Sequence, residues 1–219
     1  MTRTIVCFGD SNTYGANPSA PGRHPRDMRW PRVMEKALGE GYEVIEEGLN
    51  GRCTIWDSPI EKGRNGLDYL HPCLVSHAPV DLVTIMLGTN DLKRVYGNTA
   101  AEIACGAARR VDEAKSTLAG PDATPPKVLL VSPAPIGPLT AQSEMWGFGA
   151  AIETSRQLAG MYQIVAADHG AGFFDAGSVA QVSPDDGIHL DPVSYTHLTL
   201  PTTKALCISR GGAGHEKVG

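Results

Sequence analysis

Thr4-Ile5-Val6-Cys7-Phe8 runs straight into Gly9-Asp10-Ser11-Asn12-Thr13, and this switch from apolar to small polar residues decides the fold. A short continuous apolar run bounded by turn residues reads as a strand buried on both faces. Gly9 allows a tight turn. Ser11 then stands at the carboxyl end of the strand, where open α/β sheets bind their ligands. Taken alone, Gly-Asp-Ser is equally ordinary turn chemistry, so the rest of the chain must decide.

The same punctuation recurs. Tyr42–Glu46 reads as a short strand ending in Gly48-Leu49-Asn50-Gly51-Arg52. Asp81–Leu87 is the strongest strand and ends in Gly88-Thr89-Asn90-Asp91. Lys127–Val131 leads to Ser132-Pro133, and Gly172–Asp175 is a last short strand. Helices are expected between them. Met28–Leu38 has Pro31 in its first turn and Gly39 as its stop. Leu67–His77 is interrupted by Pro72. Thr99–Leu118 is capped by Asn98 or Thr99. A long helix from Ser143 to about Asp168 is broken near Gly147 and Gly149. Strands alternating with helices imply a five-stranded parallel sheet with helices on both faces.

A chain of 219 residues suits one domain with a sizeable core. Its net charge is −5 and no block of Lys and Arg stands out, which argues against nucleic acid or an anionic membrane as partner. The first apolar run meets Asp10 at once and lacks a basic leader, so it reads as a strand and not a signal peptide. The five cysteines are widely spaced with no C-x-x-C, which points to a reduced cytoplasmic protein without a zinc framework.

The stretch from about Ser194 is different. Pro201 and the closely spaced Gly211, Gly212 and Gly214 give it no helical period, although a domain of this kind should close with a helix. The expected division is therefore a domain over 1–193 and an atypical tail over 194–219, read as foreign or frame-shifted sequence.

Four turns offer chemistry: Ser11, Gly51, Asn90 and the loop Asp185-Asp186-Gly187-Ile188-His189. An acyl-transfer site needs a nucleophile, a base, a group that orients the base, and donors for the oxyanion. Ser11 fits the first role and His189 the second. Asp186 could turn back to the other ring nitrogen, with Asp185 as its competitor. The N–H groups of Ser11 and Gly51 and the Asn90 amide could be the donors. Each also has a plainer reading: Gly51 as a turn glycine, Asn90 as a helix cap, His189 as a surface histidine. Asp10, Trp56 and Arg64 are further candidates for binding substrate. No G-x-S-x-G, G-x-G-x-x-G or G-x-x-x-x-G-K-[ST] occurs, which argues against an ordinary α/β-hydrolase and against the common nucleotide-binding loops.

Gly9-Asp10-Ser11, Gly51, Gly88-Thr89-Asn90-Asp91 and Asp186-Gly187-Ile188-His189 stand in the order of the four blocks of the SGNH, or GDSL, hydrolase family, which the chain resembles over residues 4–193. It is most similar to the bacterial arylesterase and acyltransferase/perhydrolase branch, through Arg29-Trp30, Val44–Leu49, Gly63-Arg64-Asn65-Gly66 and Phe174–Gly177. Asn12 and Thr13 depart from the better-known pattern, which has leucine after the serine. The resemblance implies a flavodoxin-like three-layer α/β/α sandwich. It implies a triad of Ser11, His189 and Asp186, in preference to Asp185, and an oxyanion hole of Ser11, Gly51 and Asn90. It further implies a serine esterase of small esters without cofactor or metal, with acyl transfer to alcohols or peroxide as a second outcome, and a homo-oligomer. The alternatives are a carbohydrate O-deacetylase on the same triad and a non-enzymatic flavodoxin-like binding module.

Overall fold

The structure is a computed structural model that describes residues 2–198. β1 (Arg3–Gly9) pairs with β2 (Tyr42–Gly48) on one side and β3 (Leu82–Met86) on the other. β4 (Lys127–Ser132) and β5 (Gly172–Asp175) complete a five-stranded sheet in the order β2-β1-β3-β4-β5, with every pair parallel. This is the flavodoxin-like order. Its direction reverses at β1, which opens a crevice beyond the carboxyl ends of β1 and β3.

Side chains alternate across the sheet and divide the core in two. Val6, Phe8, Val83, Ile85, Val128 and Leu130 face one layer. That layer holds α3 (Gly66–Ser76), α4 (Ala100–Ser116) and α6 (Ala151–Asp168). Ile5, Cys7, Met86, Leu129 and Val131 face the other, where Trp30 and Met34 of α2 (Trp30–Leu38) cover them. Both faces of β1, β3 and β4 are thus buried, which is why these three read as unbroken apolar runs, whereas the edge strands β2 and β5 are mostly half-buried.

Local signals set the helix ends. Thr99 and Glu102 form a reciprocal capping box at the start of α4, which decides between Asn98 and Thr99 as the cap. The expected break near Gly147 is present. A one-turn α5 (Ala141–Ser143) leads into a wide helical turn, Glu144–Phe148, where Gly147 takes φ +98°, and α6 starts only at Ala151.

The sequence reading fails at the start of the tail. Residues 192–198 form a helix, here α7, which crosses the expected boundary at 193. Tyr195 and Leu198 are fully buried in the α2-side core. The reason is periodicity: Tyr195 and Leu198 lie three apart and fall on one helical face, a stripe too short to register against the Pro and Gly that follow. The rest of the tail reading, on residues 199–219, lies outside the described residues.

Candidate active site

Ser11 opens α1 (Ser11–Tyr14), a single turn immediately after β1. Asp10 is its N-cap: the Oδ1 atom accepts the Asn12 N–H at 2.9 Å. The first N–H groups of a helix have no partner inside the helix, so this turn presents the Ser11 N–H beside its own hydroxyl. Two glycines let the turn sit so close to the sheet. A Cβ on Gly9 would stand 2.0 Å from Thr13 Oγ1, and one on Gly48 would stand 2.1 Å from the Tyr14 backbone nitrogen.

His189 arrives from the loop after β5. Its Nε2 lies 3.0 Å from Ser11 Oγ, and its Nδ1 lies 2.6 Å from Asp186 Oδ2. The other Asp186 oxygen accepts the N–H groups of Ile188 and His189 at 2.8 and 2.9 Å. Gly187 turns the chain with φ +71°, which lets Asp186 and His189 face each other three residues apart. Burial pushes the Asp186 carboxyl up, but the hydrogen bonds and charge of His189 and the two N–H donors outweigh it. The net effect is a pKa below the ordinary carboxylate value. Asp185 instead accepts the Ser19 hydroxyl and does not meet His189, so the geometry separates the two competing aspartates.

The chain turns after β2 through Leu49–Arg52, closed by Arg52 N–H donating to the Leu49 carbonyl at 3.1 Å. Gly51 occupies the third position with φ +75°, a conformation such a turn requires there. Asn90 follows β3 in a one-turn helix, Asn90–Leu92, and its Nδ2 donates to the Arg52 carbonyl at 3.2 Å. Ser11, Gly51, Asn90, Asp186 and His189 all line one cavity of about 900 Å³.

Sequence reasoning misses Arg52. Its guanidinium is buried against the Phe8 ring, 4.2 Å from the centroid, and donates to the Gly9 carbonyl at 2.9 Å and to the Glu47 carbonyl. It therefore ties the ends of β1 and β2 together while its own carbonyl orients Asn90. Its signal was present, as an arginine next to a turn glycine, but its partners are backbone atoms that no motif records.

The three candidates for substrate contact are elsewhere. Asp10 is buried beneath the turn that carries Ser11, where burial foremost pushes its carboxyl up to about 6 against the Asn12 N–H and the charge of His189. Trp56 and Arg64 are not among the cavity-lining residues, and Arg64 pairs with Glu61 at 3.3 Å. The walls come from other segments: Asn17–Gly22, Ile60 and Glu61, Lys93, Val95 and Tyr96, and Met145–Phe148. Trp146 meets the His189 ring edge-on, with centroids 6.1 Å apart. Ile60, Val95 and Met145 are exposed apolar side chains on this wall. Their segments look like loop or helix in sequence, and nothing in them marks a wall.

Asp91 sits below Asn90 and accepts the Thr54 N–H at 3.0 Å together with the Thr54 hydroxyl. Burial, the largest influence, raises its carboxyl to about 6 despite these donors. Glu47, Cys73 and His77 come together outside the cavity with ligand atoms within 4.8 Å of one another. His77 Nε2 and Glu47 Oε1 are 3.0 Å apart, so two of the three already satisfy each other.

A hydroxyl, an imidazole and a carboxylate in sequence, beside donors at the ends of two further strands, form the constellation of acyl transfer on serine. A model of the GDSL-like lipase/acylhydrolase family matches residues 7–199. Among solved structures, the carbohydrate acetylesterase Est24 from Sinorhizobium meliloti is 39% identical, with a TM-score of 0.89 over 95% of this chain and 100% of that one. The M. smegmatis aryl esterase is 38% identical, with a TM-score of 0.88 over 95% of this chain and 99% of that one. A search of curated proteins found no match. With the family match spanning nearly all the described residues and the sheet order agreeing, the chain belongs to the GDSL-like lipase/acylhydrolase family.

Proposed function

We propose that this carboxylic ester hydrolase acts on small aryl or alkyl esters through an acyl-enzyme on Ser11. The observation that carries the reading is the unbroken contact from Ser11 Oγ through His189 to Asp186, at 3.0 and 2.6 Å, on the cavity wall. His189 Nε2 takes the Ser11 proton as Oγ attacks the ester carbonyl. The oxyanion forms facing the N–H groups of Ser11 and Gly51 and the Asn90 amide. The same proton passes to the leaving alcohol, which departs and leaves the acyl group on Oγ. Water then attacks with His189 again as base, and the acid is released with Ser11 restored. Asp186 holds the tautomer in which Nε2 is free to accept and stabilises the imidazolium. An alcohol or hydroperoxide in place of water gives acyl transfer.

The apolar wall of Ile60, Val95, Met145 and Trp146 supports an aryl or alkyl leaving group. A carbohydrate acetate is the second reading. It is supported by the likeness to Est24 and by the polar part of the cavity, with Asn17, Ser19, Ser58, Glu61 and Gln142. A reducing compartment is supported by the four cysteines among the described residues, Cys7, Cys53, Cys73 and Cys105, which are all free. No helix among the described residues is long and apolar enough to cross a membrane. Aryl esters of increasing acyl length and acetylated sugars, each run on wild type and Ser11→Ala, test the proposal. Faster turnover of short aryl esters supports the first reading, and preference for the sugars supports the second. Equal turnover by Ser11→Ala overturns both.

A further inference from the structure

We propose that Asn12 is a positioning residue that clasps the loop carrying His189 to the turn carrying Ser11, a role that rests on the reading of these two residues as base and nucleophile. Asn12 follows Ser11 directly and is buried. Its Oδ1 accepts the Leu190 N–H at 2.9 Å, and its Nδ2 donates to the Ile188 carbonyl at 3.4 Å. The one side chain thereby holds the residues on both sides of His189. Its own backbone is fixed in turn by Asp10, whose Oδ1 accepts the Asn12 N–H.

The loop needs such a tie. Apart from the Ser19 hydroxyl, which donates to Asp185, its other hydrogen bonds run within itself, to the segment after β4 or to α7. Ser183 N–H donates to the His189 carbonyl at 2.7 Å, and Gly137 N–H donates to the Gly187 carbonyl at 2.9 Å. Asp186 holds His189 from inside the loop. Among the described residues, the hydrogen bonds joining residues 188–190 to residues 10–13, beyond the Ser11–His189 contact itself, are those of Asn12. The base must stand about 2.6–3.2 Å from the proton it removes. At 3.0 Å, His189 is near the outer edge of that range, and a drift of about half an ångström takes it out.

The asparagine carboxamide meets both demands on a short stem: its oxygen accepts and its NH2 donates. Leucine is of similar size but offers neither. Aspartate keeps the acceptor for Leu190 but loses the donor and sets a carboxylate against the Ile188 carbonyl.

The test uses Asn12→Leu and Asn12→Asp, with Ser11→Ala alongside. The readouts are kcat and KM on a p-nitrophenyl ester, the rate at which an uncharged fluorophosphonate labels Ser11, and the downfield proton resonance of the His189–Asp186 hydrogen bond. We expect kcat and the labelling rate to fall together by roughly ten- to a hundredfold, the scale of an ångström-sized misplacement. KM should stay within about twofold. The downfield resonance should persist, because the His189–Asp186 tie lies within the loop. A purely structural role would lower the melting temperature and leave kcat per folded molecule and labelling unchanged. That result in either folded variant overturns the clasp. If Asn12→Leu does not fold, Asn12→Asp decides by the same criterion. An inactive Ser11→Ala with unimpaired Asn12 variants rejects the clasp alone, whereas an active Ser11→Ala rejects the nucleophile reading itself.

Discussion

Gly48→Ala should cripple the enzyme from the floor of the site. β2 ends at Gly48, directly under the turn that carries Ser11. An added Cβ would lie 2.1 Å from the Tyr14 nitrogen and 2.5 Å from the Thr13 carbonyl carbon. Both atoms are backbone, so no side-chain rotation relieves the contact. Ordinary van der Waals contact starts at 3.4 Å, so the turn must retreat by about 3.4 − 2.1 = 1.3 Å. That exceeds the whole range over which His189 can act as base toward Ser11. A displacement of this size costs about a hundredfold in kcat. Overpacking of this kind costs about 2 kcal/mol, or about 4–8 °C of melting temperature for a chain of this size. Turnover of p-nitrophenyl acetate and a thermal melt read the two effects. Gly39→Ala is the control: its φ is +75° and nothing lies within 4 Å of the added carbon, so it should strain the backbone locally and leave kcat intact. A Gly48→Ala enzyme with kcat within twofold of wild type and an unchanged melt would refute the reasoning.

Asn90→Ala should lower kcat by roughly a hundredfold with KM little changed, since an oxyanion donor acts mainly in the transition state; an effect confined to KM would assign Asn90 to substrate binding. Stability should depend on pH through Asp91, which is raised from 3.8 to about 6 by burial first of all. The folded state then binds more protons than the unfolded state between about pH 4 and 6, so this group's contribution is complete below that window and is lost as pH rises through it. The shift corresponds to roughly 3 kcal/mol. Asp91→Asn should flatten that part of the profile in urea unfolding, and an unchanged slope would contradict the assignment. Finally, a chain ending at residue 193 should melt well below one ending at residue 198. Tyr195 and Leu198 are buried, and each such side chain contributes about 1.5–3 kcal/mol. Equal melting temperatures would show that α7 adds nothing.

Much of the fold is legible because strands buried on both faces leave unbroken apolar runs, and Thr4–Phe8, Asp81–Leu87 and Lys127–Val131 mark three of the five. Two of the turns that carry the site are equally plain, since Gly51 after β2 and Gly187 in the loop beyond β5 take positive φ. What escapes is whatever depends on contacts distant in sequence. Asn12 reaches Leu190 across 178 residues, and its only trace is a departure from a familiar pattern. Asp10 looks exposed in a polar turn yet caps it from beneath. Trp56 and Arg64 sit in a loop near Gly51 and still miss the cavity, whereas Met145 and Trp146 reach it through the wide turn before α6. The start of the tail is misjudged for a local reason: two buried side chains three residues apart are too few to show a period.

The most direct test of the central claim is steady-state hydrolysis of p-nitrophenyl acetate by wild type and Ser11→Ala at matched folded concentration. The account predicts that kcat falls by at least about three orders of magnitude in the variant, the scale of losing a serine nucleophile, with circular dichroism and melting temperature close to wild type. Turnover within tenfold of wild type in a folded Ser11→Ala protein would contradict it.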